Sequence, residues 1–293
     1  MAAREEAGMR FLVLGCNGMA GHMISLYLKE QGHQVWGFAR RSSPFVQTVV
    51  GDARDTTLLE STLRDGDFDS VVNCIGVLNR AAEENKADAA FLNGYLPHAL
   101  VRMAEGTKSQ IVHISTDCVF SGDRGRYTET DLRDGTSFYA RSKALGEVEE
   151  AGHVTLRQSI VGPDLRPEGI GLMNWFLQQK GPVNGYTQVM WTGLTTLQLA
   201  KTVETAARER LEGLYNVVPD RSISKHDLLE LFNRYLRAEQ VTIRPYDLVR
   251  EDKSLVQTRG DADFSIPDYE QMVIELADWM EAHRDLYPHY QLC

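Results

Sequence analysis

The sequence predicts an α/β protein built on a doubly wound parallel β-sheet, followed by a smaller C-terminal lobe. Short apolar runs alternate with helical segments over residues 9–160, as expected for strands joined by helical crossovers. The first run, residues 9–14, leads directly into a glycine-rich turn at 15–21. After about residue 160 the alternation becomes irregular. We therefore predict a sheet domain over 9–160 and a smaller lobe over 161–293, from which the chain can cross back to the sheet.

Apolar runs and helical periodicity locate the individual elements. The predicted strands cover residues 9–14, 34–39, 46–50, 70–75, 110–115 and 154–159. The predicted helices cover 18–31, 57–64, 81–105 and 136–150, and in the second lobe 197–207, 225–235 and 269–283, with a strand at 213–217 before the second of these. Because right-handed crossovers bring the carboxyl ends of parallel strands to one edge, we expect residues 15–21, 74–79 and 115–120 around one crevice.

Composition argues against some broad classes of function. The 293 residues include 31 Lys and Arg against 41 Asp and Glu, a formal net charge of −10. Nucleic-acid-binding proteins usually present a basic face, so we predict no nucleic-acid partner. No stretch reaches the roughly 18 apolar residues of a membrane span, so we predict no membrane partner either.

The cysteines stand at positions 16, 74, 118 and 293, without C-x-x-C spacing or a histidine pair nearby. This pattern predicts no metal site and favours a reduced, cytoplasmic protein. Cys16, Cys74 and Cys118 fall at the predicted ends of the first, fourth and fifth strands, where we interpret them as small residues near a cofactor.

The glycine-rich turn predicts a Rossmann-type dinucleotide site. Gly15, Gly18 and Gly21 form G-x-x-G-x-x-G directly after a strand and at the start of a helix. The first glycine permits the tight turn, the second lets the backbone approach a pyrophosphate, and the third lets helix and strand pack closely. Asn17 and Met19 lie in the same turn, whose helix N-terminal amides would face the phosphates.

Two arginines favour NADP(H) over NAD(H). Arg40 and Arg41 end the second strand, where an acidic residue would bind the ribose hydroxyls of NAD and an arginine suits a 2′-phosphate. A pair of solvated arginines is the competing interpretation. After the third strand, Asp52 and Ala53 are expected near the adenine, with a turn-capping aspartate as the alternative.

Tyr139 and Lys143 predict chemistry at a carbonyl group. Their four-residue spacing places both side chains on one face of a helix. An ammonium near a phenol lowers the pKa of the phenol, which can then donate a proton to a carbonyl oxygen. Thr116, or Ser115 beside it, would share the hydrogen bond to that oxygen.

The remaining charged groups near these motifs receive structural interpretations. Glu147, Glu149 and Glu150 are expected to form a solvated helix face. The histidines at 22, 33, 98 and 113 are expected to be structural, because we see no acid, cysteine or serine placed with them.

The chain resembles the extended short-chain dehydrogenase/reductases, and among them the dTDP-4-dehydrorhamnose reductase group. The matching stretches are VLGCNGMAGH (13–22), VVNCIG (71–76), FLNGYLPHAL (91–100), HISTDCVFSG (113–122), YTETD (127–131), YARSKALGE (139–147) and LRQSIVGP (156–163). The resemblance implies reduction of the 4-keto group of a nucleotide-linked deoxysugar by NADPH. It places the catalytic threonine, tyrosine and lysine at Thr116, Tyr139 and Lys143.

The resemblance also assigns the residues around the reacting groups. Asn93 would support the lysine through water, and Cys74, Ile75 and Gly76 would line the cofactor. The nicotinamide would lie above Gly76 and Val77, with Lys143 on its ribose. On the substrate side we expect Val77, Cys118, Val119 and Phe120. Arg157, or Arg244 or Arg259, could hold the diphosphate, and Trp175, Tyr186 and Trp191 could stack on the base or sugar, with core packing as the alternative.

Other functions stay open at this point. Cys118 and Ile160 stand where the rhamnose group often has tyrosine and tryptophan, and residues 183–196 resemble relatives that reduce other 4-keto sugars. An epimerase or dehydratase on the same fold is one alternative, although no glutamate follows Asp117. A non-catalytic NADP-binding regulatory subunit, like the methionine adenosyltransferase beta subunit, is another. The sequence leaves a homodimer and the use of a metal undecided.

Overall fold

The protein is described by a computed structural model over residues 8–291. In chain order its strands are β1 (Arg10–Leu14), β2 (Gln34–Ala39), β3 (Gln47–Val50), β4 (Ser70–Asn73), β5 (Gln110–Ser115), β6 (Val154–Arg157), β7 (Ser159–Val161), β8 (Val183–Tyr186), β9 (Val189–Trp191), β10 (Gly193–Thr195), β11 (Gly213–Asn216), β12 (Ile223–Ser224), β13 (Ile243–Tyr246) and β14 (Glu251–Asp252).

The helices are α1 (Met19–Glu30), α2 (Thr56–Asp65), α3 (Asn79–Glu84), α4 (Lys86–Ala89), α5 (Leu96–Ala104), α6 (Phe138–Leu145), α7 (Leu172–Leu177), α8 (Thr196–Arg208), α9 (Lys225–Leu236) and α10 (Tyr269–Ala282). A π-helical segment, Ala90–Tyr95, joins α4 to α5, and 3₁₀ turns cover Asp117–Val119 and Arg284–Leu286. No helix within residues 8–291 is long and apolar enough to cross a membrane.

The predicted doubly wound parallel sheet is confirmed. Seven strands pair in the order β11-β6-β5-β4-β1-β2-β3, all of them parallel. The chain reverses its direction of winding between β1 and β4, which is the switch point where open α/β sheets bind ligands. Leu14 pairs with Asn73, and Asn73 with His113. The loops after β1, β4 and β5 therefore leave the sheet side by side, as the sequence predicts.

Apolar packing covers both faces of this sheet. On one face α1, α8 and α10 pack together over residues such as Val13, Val72 and Val112. On the other, α2 and α5 cover residues such as Leu12 and Val71. Both faces of the central strands β1, β4, β5 and β6 are buried, which explains why these strands are nearly continuous apolar runs rather than alternating ones.

The second lobe is built from short pairings. Strand β9 lies between β12 and β14, β13 pairs with β8, and β10 pairs with β7. The boundary at residue 160 stays a prediction, and the chain crosses it within β7. The chain then returns to the large sheet, because β11 adds a seventh strand beside β6. Cys293 and residues 1–7 lie outside the described residues.

Two predicted helices end or break earlier than expected. The helix predicted over 81–105 is interrupted by the π-helical segment. Pro97 has no N–H, so the carbonyl of Asn93 loses its usual helical donor. The helix predicted over 136–150 is only α6. Ser137 caps its start by accepting from the amide of Ala140, and a Cβ on Gly146 at its end would lie 3.0 Å from the carbonyl carbon of Asn93.

Replacing Gly21 by alanine tests the close approach of α1 to the glycine-rich turn. The added Cβ would lie 2.8 Å from the carbonyl carbon of Gly15 and 3.0 Å from Cα of Cys16. Because the obstacle is backbone, we expect a loss of about 3 kcal/mol in the free energy of unfolding, measured in urea. Gly181→Ala is the control, since its Cβ would meet no described atom within 4 Å, and should change stability by less than about 0.5 kcal/mol. Equal losses for the two variants would contradict this account.

Candidate active site

The glycine-rich turn has the geometry of a phosphate cradle. Gly15 adopts φ +78°, which favours glycine, and its amide donates to the carbonyl of Phe38 at 2.8 Å. Gly18 caps α1 without a side-chain hydrogen bond, so the first amides of that helix receive no side-chain acceptor from their cap. Gly171 lies close enough to Met19 that a Cβ there would be 3.2 Å from the sulfur. The second lobe therefore packs beside the turn.

The loop after β2 is tied to this turn and presents two cations. Asn17 donates from Nδ2 to the carbonyl oxygens of Arg41, at 2.9 Å, and Ser42. The side chains of Arg40 and Arg41 are exposed and make no hydrogen bond or ion pair with any residue in 8–291. Helix amides, a cradle that a side chain would fill and two unpaired arginines together fit a dinucleotide with an extra phosphate.

Asp52 is engaged by its own turn. Its Oδ1 accepts from the amide of Arg54 at 2.9 Å, and its Oδ2 pairs with the guanidinium of Arg54 at 2.6 Å. The hydrogen bonds from Arg54 lower the pKa of Asp52 to about 2. The turn-capping alternative is therefore seen directly, with Ala53 buried beside it. A role for Asp52 and Ala53 at the adenine stays a prediction.

Asn93 fastens the loop after β4 to α6. Its side chain is fully buried. It accepts from the amide of Val77 at 2.8 Å and donates to the carbonyl of Val77 at 2.9 Å and to Ser142 Oγ at 3.0 Å. Gly76 lies beside it, where a Cβ would be 3.4 Å from Asn93 Oδ1. The π-helical segment thus aligns the Gly76–Val77 turn with the helix that carries Tyr139.

Cys74 and Ile75 lead from β4 into this turn, and both are half-buried. Burial raises the pKa of the Cys74 thiol to about 12, so the group is a neutral thiol at neutral pH. This agrees with its interpretation as a small residue rather than a nucleophile.

Thr116 and Tyr139 lie together in the crevice, and both are at least nine-tenths buried. Thr116 Oγ1 donates to Asp117 Oδ1 at 3.1 Å and accepts from the amide of Cys118 at 3.2 Å. Burial raises the pKa of Tyr139, and a hydrogen bond with Thr116 opposes that rise. The predicted lowering of the tyrosine pKa by Lys143 is therefore wrong for this structure, because burial dominates and the ammonium is directed elsewhere.

The side chain of Lys143 contacts strand β5. Its Nζ donates to the carbonyl of Ile114 at 2.7 Å and lies 3.2 Å from His113 Nε2. Burial lowers the pKa of Lys143 to about 8, while the negative charge of Glu147 opposes that shift. His113 thus has a functional neighbour that the sequence analysis missed. The sequence did hold a signal for His113. It lies two residues before Ser115, a predicted site residue, and alternate residues of a strand share one face.

Glu147 and Arg157 correct two predictions. Glu147 is buried rather than solvated, and Arg157 is fully buried rather than available to a diphosphate. Arg157 donates to Glu147 from Nε at 2.7 Å and Nη2 at 2.6 Å. Ser115 also donates to Glu147 at 2.7 Å, and Arg133 pairs with it. The arginines lower the pKa of Glu147 against the effect of burial, so the pair is an internal anchor.

Other predicted substrate contacts also belong to the core. Val119 and Phe120 are at most 1% exposed, and Phe120 stacks on Tyr127 with ring centres 4.2 Å apart. Trp191 is 5% exposed and packs against Tyr269. These contacts favour core packing, the alternative interpretation given for Trp191, and a substrate role for the three residues stays a prediction. Val77 and Cys118 are half-buried at the crevice and stay candidates. Arg259 is also engaged, with Asp261 and the ring of Tyr215.

The second lobe adds cations that the sequence did not reveal. Lys253 is half-buried, pairs with Glu251 at 2.7 Å and influences both Asp117 and Cys118 electrostatically. Lys225 acts on Asp117 as well. Burial nevertheless raises the pKa of Asp117. No sequence motif marks Lys253, because it reaches the crevice only through the packing of the second lobe on the loop after β5.

The family of the chain follows from comparison with known sequences. The model of the RmlD substrate binding domain matches residues 9–291. The chain belongs to this family. The predicted resemblance to the dTDP-4-dehydrorhamnose reductase group is thereby confirmed.

Individual relatives are similar over part of their length. The chain is 33% identical over 143 residues to the probable low-salt glycan biosynthesis reductase Agl14 of Haloferax volcanii. The matched region covers 47% of this chain and 48% of the relative. It is 32% identical over 153 residues to the dTDP-4-dehydrorhamnose reductase of Mycobacterium tuberculosis, or 50% of this chain and 46% of the relative. The chain thus spans about half the length of these curated relatives.

A solved structure shares the fold. The dTDP-4-dehydrorhamnose reductase of Bacillus anthracis in complex with NADP superimposes with a TM-score of 0.77 at 18% identity, over 93% of this chain and 99% of the other. At this identity the similarity shows that the two proteins share a fold.

The buried ion pair can be tested through stability. We expect Arg157→Met to lower the free energy of unfolding by about 3 kcal/mol, because it leaves the buried Glu147 carboxylate with fewer partners. Arg141→Met on α6 is the control, since the exposed Arg141 side chain bonds no residue in 8–291, and should change stability by less than about 0.5 kcal/mol. Chemical denaturation at pH 7 measures both. An Arg157 variant as stable as the Arg141 variant would remove the anchor from this account.

Proposed function

We propose that this protein reduces the 4-keto group of a nucleotide-linked deoxysugar, a dTDP-, UDP- or GDP-4-keto-6-deoxyhexose, with NADPH. The observation that carries the proposal is the adjacency of the loops after β1 and β5 at the switch point of the sheet, since the first is the glycine-rich turn and the second holds Thr116, whose hydroxyl bonds Tyr139. Membership of the family supports it.

The cofactor would be held by the chain's own polar groups around the turn. The amides at the start of α1 would bind the pyrophosphate, and Arg40 and Arg41 would bind a 2′-phosphate. Bound there, NADPH would supply a hydride to the carbonyl carbon. The free thiols of Cys16, Cys74 and Cys118 support our further proposal of a reducing compartment, the cytoplasm.

Tyr139 would act as the acid. Burial raises its pKa, so its phenol keeps its proton at neutral pH and can give it to the developing alkoxide. Thr116, whose hydroxyl bonds Tyr139, would orient the same oxygen. Lys143, whose Nζ bonds Ile114 in this structure, would stabilise the Tyr139 phenolate by turning an N–H donor across the one helical turn that separates the two residues.

The substrate diphosphate would meet the cations of the second lobe. Lys253 is the best placed, since it is half-buried beside Cys118. A local positive group of this kind can hold an anion although the whole chain has a charge of −10. Trp175 and Tyr186, 43% and 38% exposed, remain available to stack on a base or sugar.

Asp117 favours a dehydratase as the second candidate. Its pKa is raised by burial, which favours the protonated acid, and it accepts a hydrogen bond from Thr116. The residue that follows is Cys118, which offers no base. Loss of water from an unreduced nucleotide sugar, followed by mass spectrometry without added NADPH, would favour this candidate over a reductase.

The proposal is tested by following NADPH oxidation against dTDP-, UDP- and GDP-linked 4-keto-6-deoxy sugars made in place by dehydratases. We expect turnover with one of them. Tyr139→Phe should lower kcat by about 10²–10⁴-fold while NADPH still binds in a fluorescence titration. Tyr95→Phe, at a tyrosine 44% exposed, is the control and should keep full activity. No turnover of any sugar, with NADPH bound, would favour a regulatory role.

Cofactor preference is tested at the loop after β2. Replacing Arg40 and Arg41 together by serine removes both cations without touching the turn, because Asn17 bonds the backbone of residue 41. We expect the Kd of NADPH to rise about tenfold or more, and that of NADH to stay within about twofold. Arg126→Ser, at an exposed arginine, is the control. An equal loss for both cofactors would contradict the NADP preference.

A further inference from the structure

Three buried side chains and one backbone amide form a line of polar groups next to the residues proposed to react. The amide of Ile75 donates to Asn73 Oδ1 at 3.1 Å, and Asn73 Nδ2 lies 3.2 Å from His113 Nδ1. His113 Nε2 lies 3.2 Å from Lys143 Nζ, which donates onward to the carbonyl of Ile114. Asn73 and His113 are fully buried and Lys143 is 4% exposed. The line connects the cofactor side of β4 to the lysine of α6.

The direction of this line is fixed by its first member. A backbone amide can only donate, so the oxygen of Asn73 must face Ile75 and its NH₂ must face the ring of His113. His113 Nδ1 therefore accepts. In a neutral imidazole the other nitrogen then carries the hydrogen. Burial holds the pKa of His113 well below its usual range, so the ring is neutral at neutral pH.

The last contact restricts the state of Lys143. His113 Nε2–H is a donor and needs a lone pair on Nζ, which an amine has and an ammonium lacks. Resting on the proposed function, we propose that His113 is a positioning residue, oriented by Asn73, that binds Lys143 only as the neutral amine and releases it when the lysine takes up a proton. The ammonium keeps its bond to Ile114, and its release from His113 leaves an N–H donor that can turn towards Tyr139, one helical turn away on α6.

This selectivity gives the lysine two positions in a catalytic cycle. When Tyr139 has given its proton to the alkoxide, the ammonium of Lys143 can return one to the phenolate. One N–H bond breaks and one O–H bond forms. The amine that remains gains the hydrogen bond from His113, and solvent water later restores its proton.

Other ionisable groups act on the same pair. Cys74 after β4 and Glu147 after α6 act electrostatically on Lys143, and His98 acts on His113. Burial lowers the pKa of Lys143 to about 8, with Glu147 and Cys74 opposing that shift. The exchange between amine and ammonium therefore falls in an accessible pH range.

The proposal is tested by NMR on protein labelled with ¹⁵N-histidine between pH 6 and 10, a readout that needs no substrate. We expect His113, assigned through His113→Gln, to show hydrogen on Nε2 throughout, and its Nε2 resonance to move with a midpoint near pH 8. Lys143→Met should abolish that movement. His153 is the internal reference, because its Nδ1 accepts from the amide of Ile111 at 3.0 Å and its tautomer is fixed in the same way.

Hydrogen on Nδ1, or a His113 resonance that does not move between pH 6 and 10, would overturn the proposal. Wild-type protein decides this even if a variant fails to fold, and even if no sugar is turned over, so failure of the reductase function is distinguishable. Where turnover is found, Asn73→Asp should reverse the tautomer, since a carboxylate accepts from both neighbours. The alkaline limb of the kcat profile should then move up by about one pH unit, and an unmoved limb would count against the mechanism.

Discussion

The buried ion pair of Glu147 and Arg157 is the interaction on which the arrangement of the site depends. Glu147 follows α6, Arg157 ends β6, and Ser115, which bonds the same carboxylate, ends β5. Arg157 continues to Asn216 on β11 at 3.1 Å, and Asn216 bonds the carbonyl oxygens of Tyr127 and Val256. One charged pair therefore fixes the ends of three strands, one helix and a segment of the second lobe. Removing one member of such a pair is destabilising, because the other charge stays buried without a partner and without water.

Asn93 supplies the second anchor, on the opposite side of α6. Its amide satisfies both the N–H and the C=O of Val77 and also bonds Ser142. The helix that carries Tyr139 and Lys143 is thus held between β4 on one side and β5 with β6 on the other. Fixing the backbone in this way holds in place the side chains that we propose to react. Preorganisation of this kind is what acid catalysis by a single phenol requires.

The same burial that positions these groups sets their protonation. Tyr139 and Lys143 both lose solvent, and each is shifted towards its neutral form: the pKa of the phenol rises and that of the ammonium falls. A simple pair of phenolate and ammonium is therefore not the resting arrangement. The neutral imidazole of His113 and the carboxylate of Glu147 oppose one another at Lys143, one favouring the amine and the other the ammonium.

The order of elements, the glycine-rich turn and the Tyr139–Lys143 pair were determined by the sequence, because each depends on local spacing: apolar runs for strands, a strand–turn–helix for the cradle, and one helical turn for the pair. Only the tertiary structure decided that the side chains of Arg157, Phe120 and Trp191 are buried. An arginine or an aromatic residue looks the same in a sequence whether it binds a ligand or packs in the core. Which of the two it does depends on burial by elements that are distant in the chain. The same holds for His113 and Lys253, whose partners come from α6 and from the loop after β5. Local patterns carry no information about such contacts, since they form only when the second lobe and the crossover helices close on the sheet.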